Sequence, residues 1–86
     1  MAKFRIKIKK SAAKEIANLP QNYLRKVLNK IDELVINPHP SGTIKLSGEE
    51  KYRIKIGIYR LLYQIFEDRL VMKVAHIKMF RKEIIN

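Results

Sequence analysis

The chain opens on a strict alternation of apolar and basic side chains. Phe4, Ile6 and Ile8 are apolar, and a Lys or Arg stands at each odd position from 3 to 9. A period of two residues is typical of a strand with one face in the core and the other in water. The pattern therefore predicts a half-buried strand over residues 3–9, with all of its charges on one face.

Two helices are predicted between this strand and residue 37. Ser11 is a candidate N-cap for the first, because its hydroxyl can accept hydrogen bonds from backbone N–H groups. Leu19-Pro20 ends that helix, since the residue before a proline avoids the α region, while Pro20 is tolerated in the first turn of the second helix. Asn37-Pro38 stops the second helix, whose apolar stripe has the helical spacing of three or four residues. The stripe comprises Leu24, Val27, Leu28, Ile31, Leu34 and Val35. So short a connection predicts an antiparallel helical hairpin.

The second half of the chain begins with an irregular stretch and then returns to strand patterns. Residues 37–50 hold two prolines and two glycines and are predicted to form a loop. Apolar and basic residues alternate over 51–56, and residues 58–66 are rich in β-branched and aromatic side chains. Gly57 permits a turn or bulge between these strands, and Glu67-Asp68 is predicted to turn the chain into a last strand over 70–75. From Ile77 onwards we expect a short helix or a frayed tail.

This order of elements predicts one α+β domain over residues 1–86. An N-terminal strand and a helical hairpin are followed by a three- to four-stranded antiparallel sheet, with both helices on one face. A chain of 86 residues is long enough for one small core. Tyr52, Tyr59 and Tyr63 fall in the predicted strands, and we expect them to pack in that core rather than to stack on bases.

The net charge of the chain indicates which kind of molecule it binds. Nineteen Lys and Arg oppose eight Asp and Glu, which gives a formal net charge of +11. Either this charge only keeps the protein soluble, or it serves an anionic partner, and we favour nucleic acid or an acidic protein. The chain has no cysteine, which excludes disulfides and thiolate chemistry and fits the reducing cytoplasm. Charges interrupt the N-terminus and every apolar run, so neither a signal peptide nor a membrane span is expected.

Basic side chains form the best candidate for chemistry. No glycine-rich nucleotide loop is present, and the two histidines have no cysteine partners, so no metal site is expected. Arg53 and Lys55 must share one side of their strand, and a tight turn at Gly57 brings Arg60 near them. Three such cations can bind a phosphate and stabilise charge that develops on its oxygens. The alternative is an ordinary solvated face of a one-sided sheet. His76 is either a general acid or base or a half-buried residue at a strand end.

The run Lys-Tyr-Arg-Ile-Lys-Ile-Gly-Ile-Tyr-Arg-Leu-Leu-Tyr-Gln-Ile over 51–65 resembles the RelE/ParE toxin superfamily. So do Ser-Ala-Ala-Lys-Glu-Ile after the first strand, Leu19-Pro20, and Ile-Lys-Leu-Ser-Gly over 44–48. The resemblance covers nearly the whole chain and implies the toxin of a two-gene toxin–antitoxin module, with a cognate antitoxin as partner. RelE-type members are ribosome-dependent endoribonucleases that drive the ribose 2′-OH of messenger RNA onto the adjacent phosphate, with no metal or cofactor. ParE-type members share the fold and poison DNA gyrase instead.

The resemblance also implies roles for particular residues. Arg53 and Lys55 stand where the family has basic residues on this strand, and Lys55 would assist deprotonation of the 2′-OH. Arg60 matches the arginine that holds the scissile phosphate. His76 matches a histidine common after the last strand, and Arg81 corresponds to a second arginine.

The C-terminal segment departs from the RelE pattern. Phe80 or a neighbour stands where RelE-type members have a tyrosine, so no phenol is available there. The spacing of His76 and Met79 also occurs among ParE-type members, which keeps gyrase inhibition as one alternative function. The missing phenol keeps a catalytically degenerate RelE homologue as the other. Three further lysines are expected to bind RNA on the nuclease interpretation: Lys51, Lys78 and Lys82.

Overall fold

The computed structural model describes residues 3–46 and 50–79. Its elements are β1 (Arg5–Ile8), α1 (Lys10–Ala17), α2 (Gln21–Ile36), β2 (Ile44–Leu46), β3 (Lys51–Ile56), β4 (Tyr59–Phe66), a 3₁₀ turn (Glu67–Arg69) and β5 (Val71–Met79). The five strands form one sheet in the order β1-β5-β4-β3-β2. The predicted α+β class is confirmed. Within the described ranges, neither helix is both long and apolar enough to cross a membrane.

The sheet is antiparallel except at one edge. β2, β3, β4 and β5 pair antiparallel in succession, as predicted for the strands after the hairpin. β1 pairs parallel with β5, from Arg5 opposite Val71 to Ile8 opposite Val74. A parallel pair needs a long crossover connection, and here the helical hairpin and three other strands lie between the two partners. The complete sheet is therefore mixed.

The core lies between the helices and one face of the sheet. Alternate side chains of β3 and β4 are buried, as the two-residue period requires. Tyr52, Tyr59 and Tyr63 are all in this buried set, which confirms their predicted packing. The helices contribute Ala12, Ile16, Val27, Ile31, Leu34 and Val35. The remaining side chains of β3, β4 and β5 project from the opposite face, which we call the open face.

Three residues predicted to be apolar core positions are more exposed than expected. Phe4 is buried, but Ile6 and Ile8 are 38% and 42% exposed. β1 is an edge strand, so only part of its inner face is covered by the helices. Leu28 is 45% exposed because it lies on the flank of the α2 stripe, which is centred on Val27, Ile31 and Leu34.

Three of the four predicted helix ends agree with the structure. Pro20 stands at the N-cap position of α2 and Asn37 at its C-cap, and α1 ends before Leu19-Pro20. The prediction that Ser11 caps α1 is wrong. Lys9 occupies the N-cap position and makes no side-chain cap bond. Its N–H donates to the Val74 carbonyl at 3.0 Å, so strand pairing continues up to the first helical residue.

One strand and one strand end were missed. β2 lies inside the predicted loop, pairing Ile44 with Arg53 and Leu46 with Lys51, and three residues are too few to show an alternation. β5 runs on to Met79, so the helix or tail predicted from Ile77 is wrong for residues 77–79. Gly57 does form the predicted turn, with a φ of +60°, between β3 and β4.

Candidate functional site

Strand register arranges the side chains of the open face in rows that run across the sheet. In the first, which we call the cationic row, Arg60 lies opposite Lys55 on one side and Lys78 on the other. The second row joins Arg53 to Leu62 and His76, and the third joins Lys51 to Gln64 and Lys73. Neighbouring strands are about 4.8 Å apart, and successive rows are two residues, or about 7 Å, apart.

The cationic row puts three positive charges on three adjacent strands. Lys55 and Lys78 are exposed, and Arg60 is half-buried between them. The predictions that Arg53 and Lys55 share a face and that Arg60 lies near them are confirmed. The pKa of Arg60 is lowered from its ordinary value, first by desolvation and then by repulsion from Arg53. Like charges directly opposite one another destabilise a sheet, so the row is suited to an anion that neutralises it.

A bulge in β5 decides where His76 lies. Leu62 pairs with His76 but the next residue, Tyr63, pairs with Val74, so Ala75 is an extra residue in β5. An extra residue shifts the two-residue alternation by one position. Val74 before the bulge and Ile77 after it both face the core, and His76 lies beside Leu62 on the open face. An unbroken alternation from Val74 would have turned His76 towards the helices.

Glu15 of α1 lies at the outer edge of β5 beside His76. Its Oε1 is 3.7 Å from His76 Nδ1 and accepts a hydrogen bond of 3.4 Å from the Ile77 N–H. β1 pairs with β5 only as far as Val74, so α1 covers the strand edge beyond that point. The carboxylate thus lies on the Nδ1 side of the imidazole ring, and Nε2 is the ring nitrogen farther from Glu15. Sequence reasoning missed this pair because Glu15 is 62 residues from Ile77.

The tyrosines tie the loop after α2 to the helix side of the sheet. The Tyr63 hydroxyl donates to the Pro38 carbonyl at 2.8 Å, and the Tyr52 hydroxyl donates to Glu50 at 2.8 Å. Desolvation, followed by the Glu50 hydrogen bond, raises the pKa of Tyr52 to about 12. Tyr59 packs edge-on against Tyr23 of α2, with ring centroids 4.9 Å apart. These contacts hold the phenols away from the cationic row.

The predicted site residues separate into two groups. The open face brings together six of them: Lys51, Arg53, Lys55, Arg60, His76 and Lys78. Arg81 and Lys82, together with Phe80, lie outside the described residues. Lys73 and Gln64 were not predicted, although their position in the alternation of the neighbouring strands would have indicated them once the pairing was known.

Comparisons with known proteins identify the family of the chain. A family model described as the ParE toxin of the type II toxin–antitoxin system parDE matches residues 6–79. A curated relative from Methanocaldococcus jannaschii, described as putative toxin RelE1, is 33% identical over 75 residues, which are 81% of this chain and 83% of the relative.

Solved structures extend the similarity to the whole fold. A chain of the archaeal RelE–RelB complex from Pyrococcus horikoshii OT3 superposes with a TM-score of 0.85 at 30% identity, covering 96% of this chain and 100% of that chain. The isolated E. coli RelE toxin superposes with a TM-score of 0.82 at 26% identity, covering 95% of this chain and 88% of that chain. The family match spans the strands that carry the cationic row, and the chain belongs to the RelE/ParE family of toxins of type II toxin–antitoxin systems.

Proposed function

We propose that this protein is the toxin of a type II toxin–antitoxin module and cleaves messenger RNA on the ribosome without a metal ion. The observation that carries the proposal is the cationic row on the open face, with Arg53 in the row beside it. A fold shared with RelE toxins at 26–30% identity and a 33% identical relative described as a RelE toxin support it. Action on ribosomes implies a cytoplasmic location.

The reaction is a transfer within the RNA backbone. The 2′ oxygen of a ribose forms a bond to the adjacent phosphorus, and the bond from that phosphorus to the 5′ oxygen of the next nucleotide breaks. The products are a 2′,3′-cyclic phosphate and a free 5′-hydroxyl. Charge develops on the phosphate oxygens and the leaving oxygen, and fixed cations stabilise it most effectively where water is partly excluded.

Residues of the first two rows are assigned to these steps. Arg60, at the centre of the cationic row, binds the non-bridging oxygens of the phosphate, which a guanidinium can contact through two donors. Lys55, directly opposite Arg60, accepts the proton of the 2′-OH when its side chain is in the neutral amine form. His76, whose Nδ1 lies 3.7 Å from Glu15 Oε1, delivers a proton to the 5′ oxygen that leaves. Arg53 adds charge beside the phosphate.

An antitoxin is the expected protein partner. Relatives of this chain have been solved as complexes of RelE with RelB. A net charge of +11 favours an antitoxin that is acidic where it meets the open face. The sheet has two edge strands, β1 and β2, on which an extended segment can add, and the helical hairpin can receive an amphipathic helix. Binding through the open face should weaken as salt is added.

Mapping of message ends tests the nuclease activity. Purified protein is added to a reconstituted translation reaction, and we expect cuts within the codon in the ribosomal A site. Arg60→Ala should weaken the cuts on the order of 100-fold, whereas Arg25→Ala, at an exposed arginine of α2, should retain them.

Inhibition of DNA gyrase is the second candidate function. The match to the ParE toxin model favours it, as does the spacing of His76 and Met79. Supercoiling by gyrase is therefore measured with the same protein preparation. Loss of supercoiling without cuts in the message would replace the nuclease proposal with gyrase inhibition.

A further inference from the structure

A cavity of about 220 Å³ opens on the open face beside the cationic row. Leu46, Leu62 and Ala75 supply apolar lining from three different strands. Gln64 also lines the cavity, and the register places it between the basic residues of the third row. The charged lining residues and the histidine are Lys9, Lys51, Lys73 and His76. Tyr52 and Tyr63, which are buried on the helix side of the sheet, also border the cavity. The cavity thus combines an apolar surface, one carboxamide and a basic rim.

The bulge in β5 accounts for the position of this hollow. Ala75 is the extra residue of β5 and lies beside Leu62 and Tyr63 of β4. A methyl side chain projects little from the sheet, whereas the lysines on the neighbouring strands are long. The short side chain and the local bend of a bulge leave a depression with Leu62 and Ala75 at its base.

The composition of the lining selects the class of ligand. A simple anion would be bound by the lysines alone and has no use for the apolar surface. A purely apolar ligand would not require a basic rim. A nucleobase has apolar faces and a polar edge, and the phosphates on either side of it match the lysines. A carboxamide presents one acceptor and two donors, which suits the edge of an unpaired base.

We propose that this cavity is a subsite for one unpaired nucleobase of the RNA, with Gln64 hydrogen-bonded to the edge of the base. This assignment rests on the proposed function. The base belongs to a nucleotide next to the scissile phosphate, because the cavity occupies the second and third rows. These rows begin about 7 Å from the cationic row. Leu62 and Ala75 contact the face of the base, and Lys51 and Lys73 bind the backbone that flanks it. Gln64 is then a residue that determines which base is accepted.

Binding of a substrate that cannot be cut tests the subsite separately from cleavage. The probe is a trinucleotide RNA whose 2′ oxygens are methylated, titrated into ¹⁵N-labelled full-length protein and followed by NMR. We expect shifts at the backbone amides of Leu62 and Ala75 and at the side-chain amide of Gln64. An analogue that lacks the base at one position should bind about tenfold more weakly, the scale of a good pair of hydrogen bonds to a base.

Two matched substitutions identify the carboxamide as the specificity element. Gln64→Leu keeps the side-chain size and removes the hydrogen bonds, so differences in affinity between the four bases should shrink about tenfold at one position. Gln21→Leu makes the same change on the exposed start of α2 and should leave base preference unaltered. In the ribosome assay, Gln64→Leu should alter the preferred base at one codon position.

Each outcome separates the subsite from the nuclease activity. The subsite is overturned if the base-free and complete trinucleotides bind equally and Gln64→Leu leaves base preference unchanged. This holds even when the wild-type protein cuts messages. Base-dependent binding without cuts supports the subsite and rejects the nuclease activity. Displacement of the trinucleotide by a short polyglutamate peptide, with the same shifts at Leu62 and Ala75, would assign the cavity to an acidic protein and overturn the nucleobase proposal.

Discussion

Removal of the Tyr63 hydroxyl tests how the loop after α2 is held against the sheet. The side chain is 1% exposed, and its hydroxyl donates to the Pro38 carbonyl at 2.8 Å and lies 3.3 Å from Thr43 Oγ1. Tyr63→Phe keeps the ring and leaves a buried carbonyl without its donor, at a cost of roughly 1–3 kcal/mol. In a domain near this length each kcal/mol lowers Tm by about 4–8 °C, so we expect a fall of roughly 4–24 °C.

Urea and thermal denaturation measure this loss, with Tyr59→Phe as the matched control. Tyr59 is also buried and packs edge-on against Tyr23, but within residues 3–46 and 50–79 its hydroxyl makes no hydrogen bond. The control should change the free energy of unfolding by about 0.5 kcal/mol or less. Equal losses for the two variants would refute the reasoning, because the stability would then depend on the phenol generally and not on the bond to Pro38.

The same substitution has a consequence for the candidate site. Thr43 directly precedes β2, whose Leu46 lines the cavity on the open face. A loop released from Tyr63 should let β2 separate more often from β3. Hydrogen exchange at the amides of β2 should therefore accelerate in Tyr63→Phe and remain unchanged in Tyr59→Phe.

Three further predictions concern the cationic row, a turn and a buried phenol. Arg60→Ala should lower the cleavage rate on the order of 100-fold, the scale for loss of one charge-stabilising donor, with Tm nearly unchanged; a large loss of Tm would make Arg60 structural. Gly57→Ala should lower the free energy of unfolding in urea by about 1–2 kcal/mol, because φ is +60° and the new Cβ would lie 2.7 Å from Tyr23 Cε1. An unchanged urea midpoint would mean that the turn relaxes to accept the side chain. The pKa of Tyr52 is raised to about 12 by desolvation and then by its bond to Glu50, so its contribution to stability is complete below about pH 10 and is lost as pH rises through 12. Between about pH 10 and 12 the free energy of unfolding should fall less in Tyr52→Phe than in the wild type. Identical pH profiles for the two proteins would contradict the raised pKa of Tyr52.

Local sequence patterns were sufficient to predict much of the basic part of the open face. A strand alternates its side chains whatever the rest of the fold does, so Arg53 and Lys55 had to share one side. The tight turn at Gly57 was also a local signal, and it brought Arg60 opposite Lys55 as expected. The helical hairpin followed from spacing and from Pro20, which depend on neighbours in the chain. These features were predictable because each is determined by backbone geometry within a few residues.

The position of His76 and its surroundings depended on tertiary structure. The extra residue Ala75 is defined only by pairing with β4, and it turns His76 onto the open face. Glu15 meets His76 because β1 lies parallel to β5 and ends where α1 begins. By itself the sequence determined which side chains share a strand face. Only the packing of distant segments decided which strands adjoin, where the alternation slips by one residue, and hence which carboxylate and which carboxamide stand beside the basic residues.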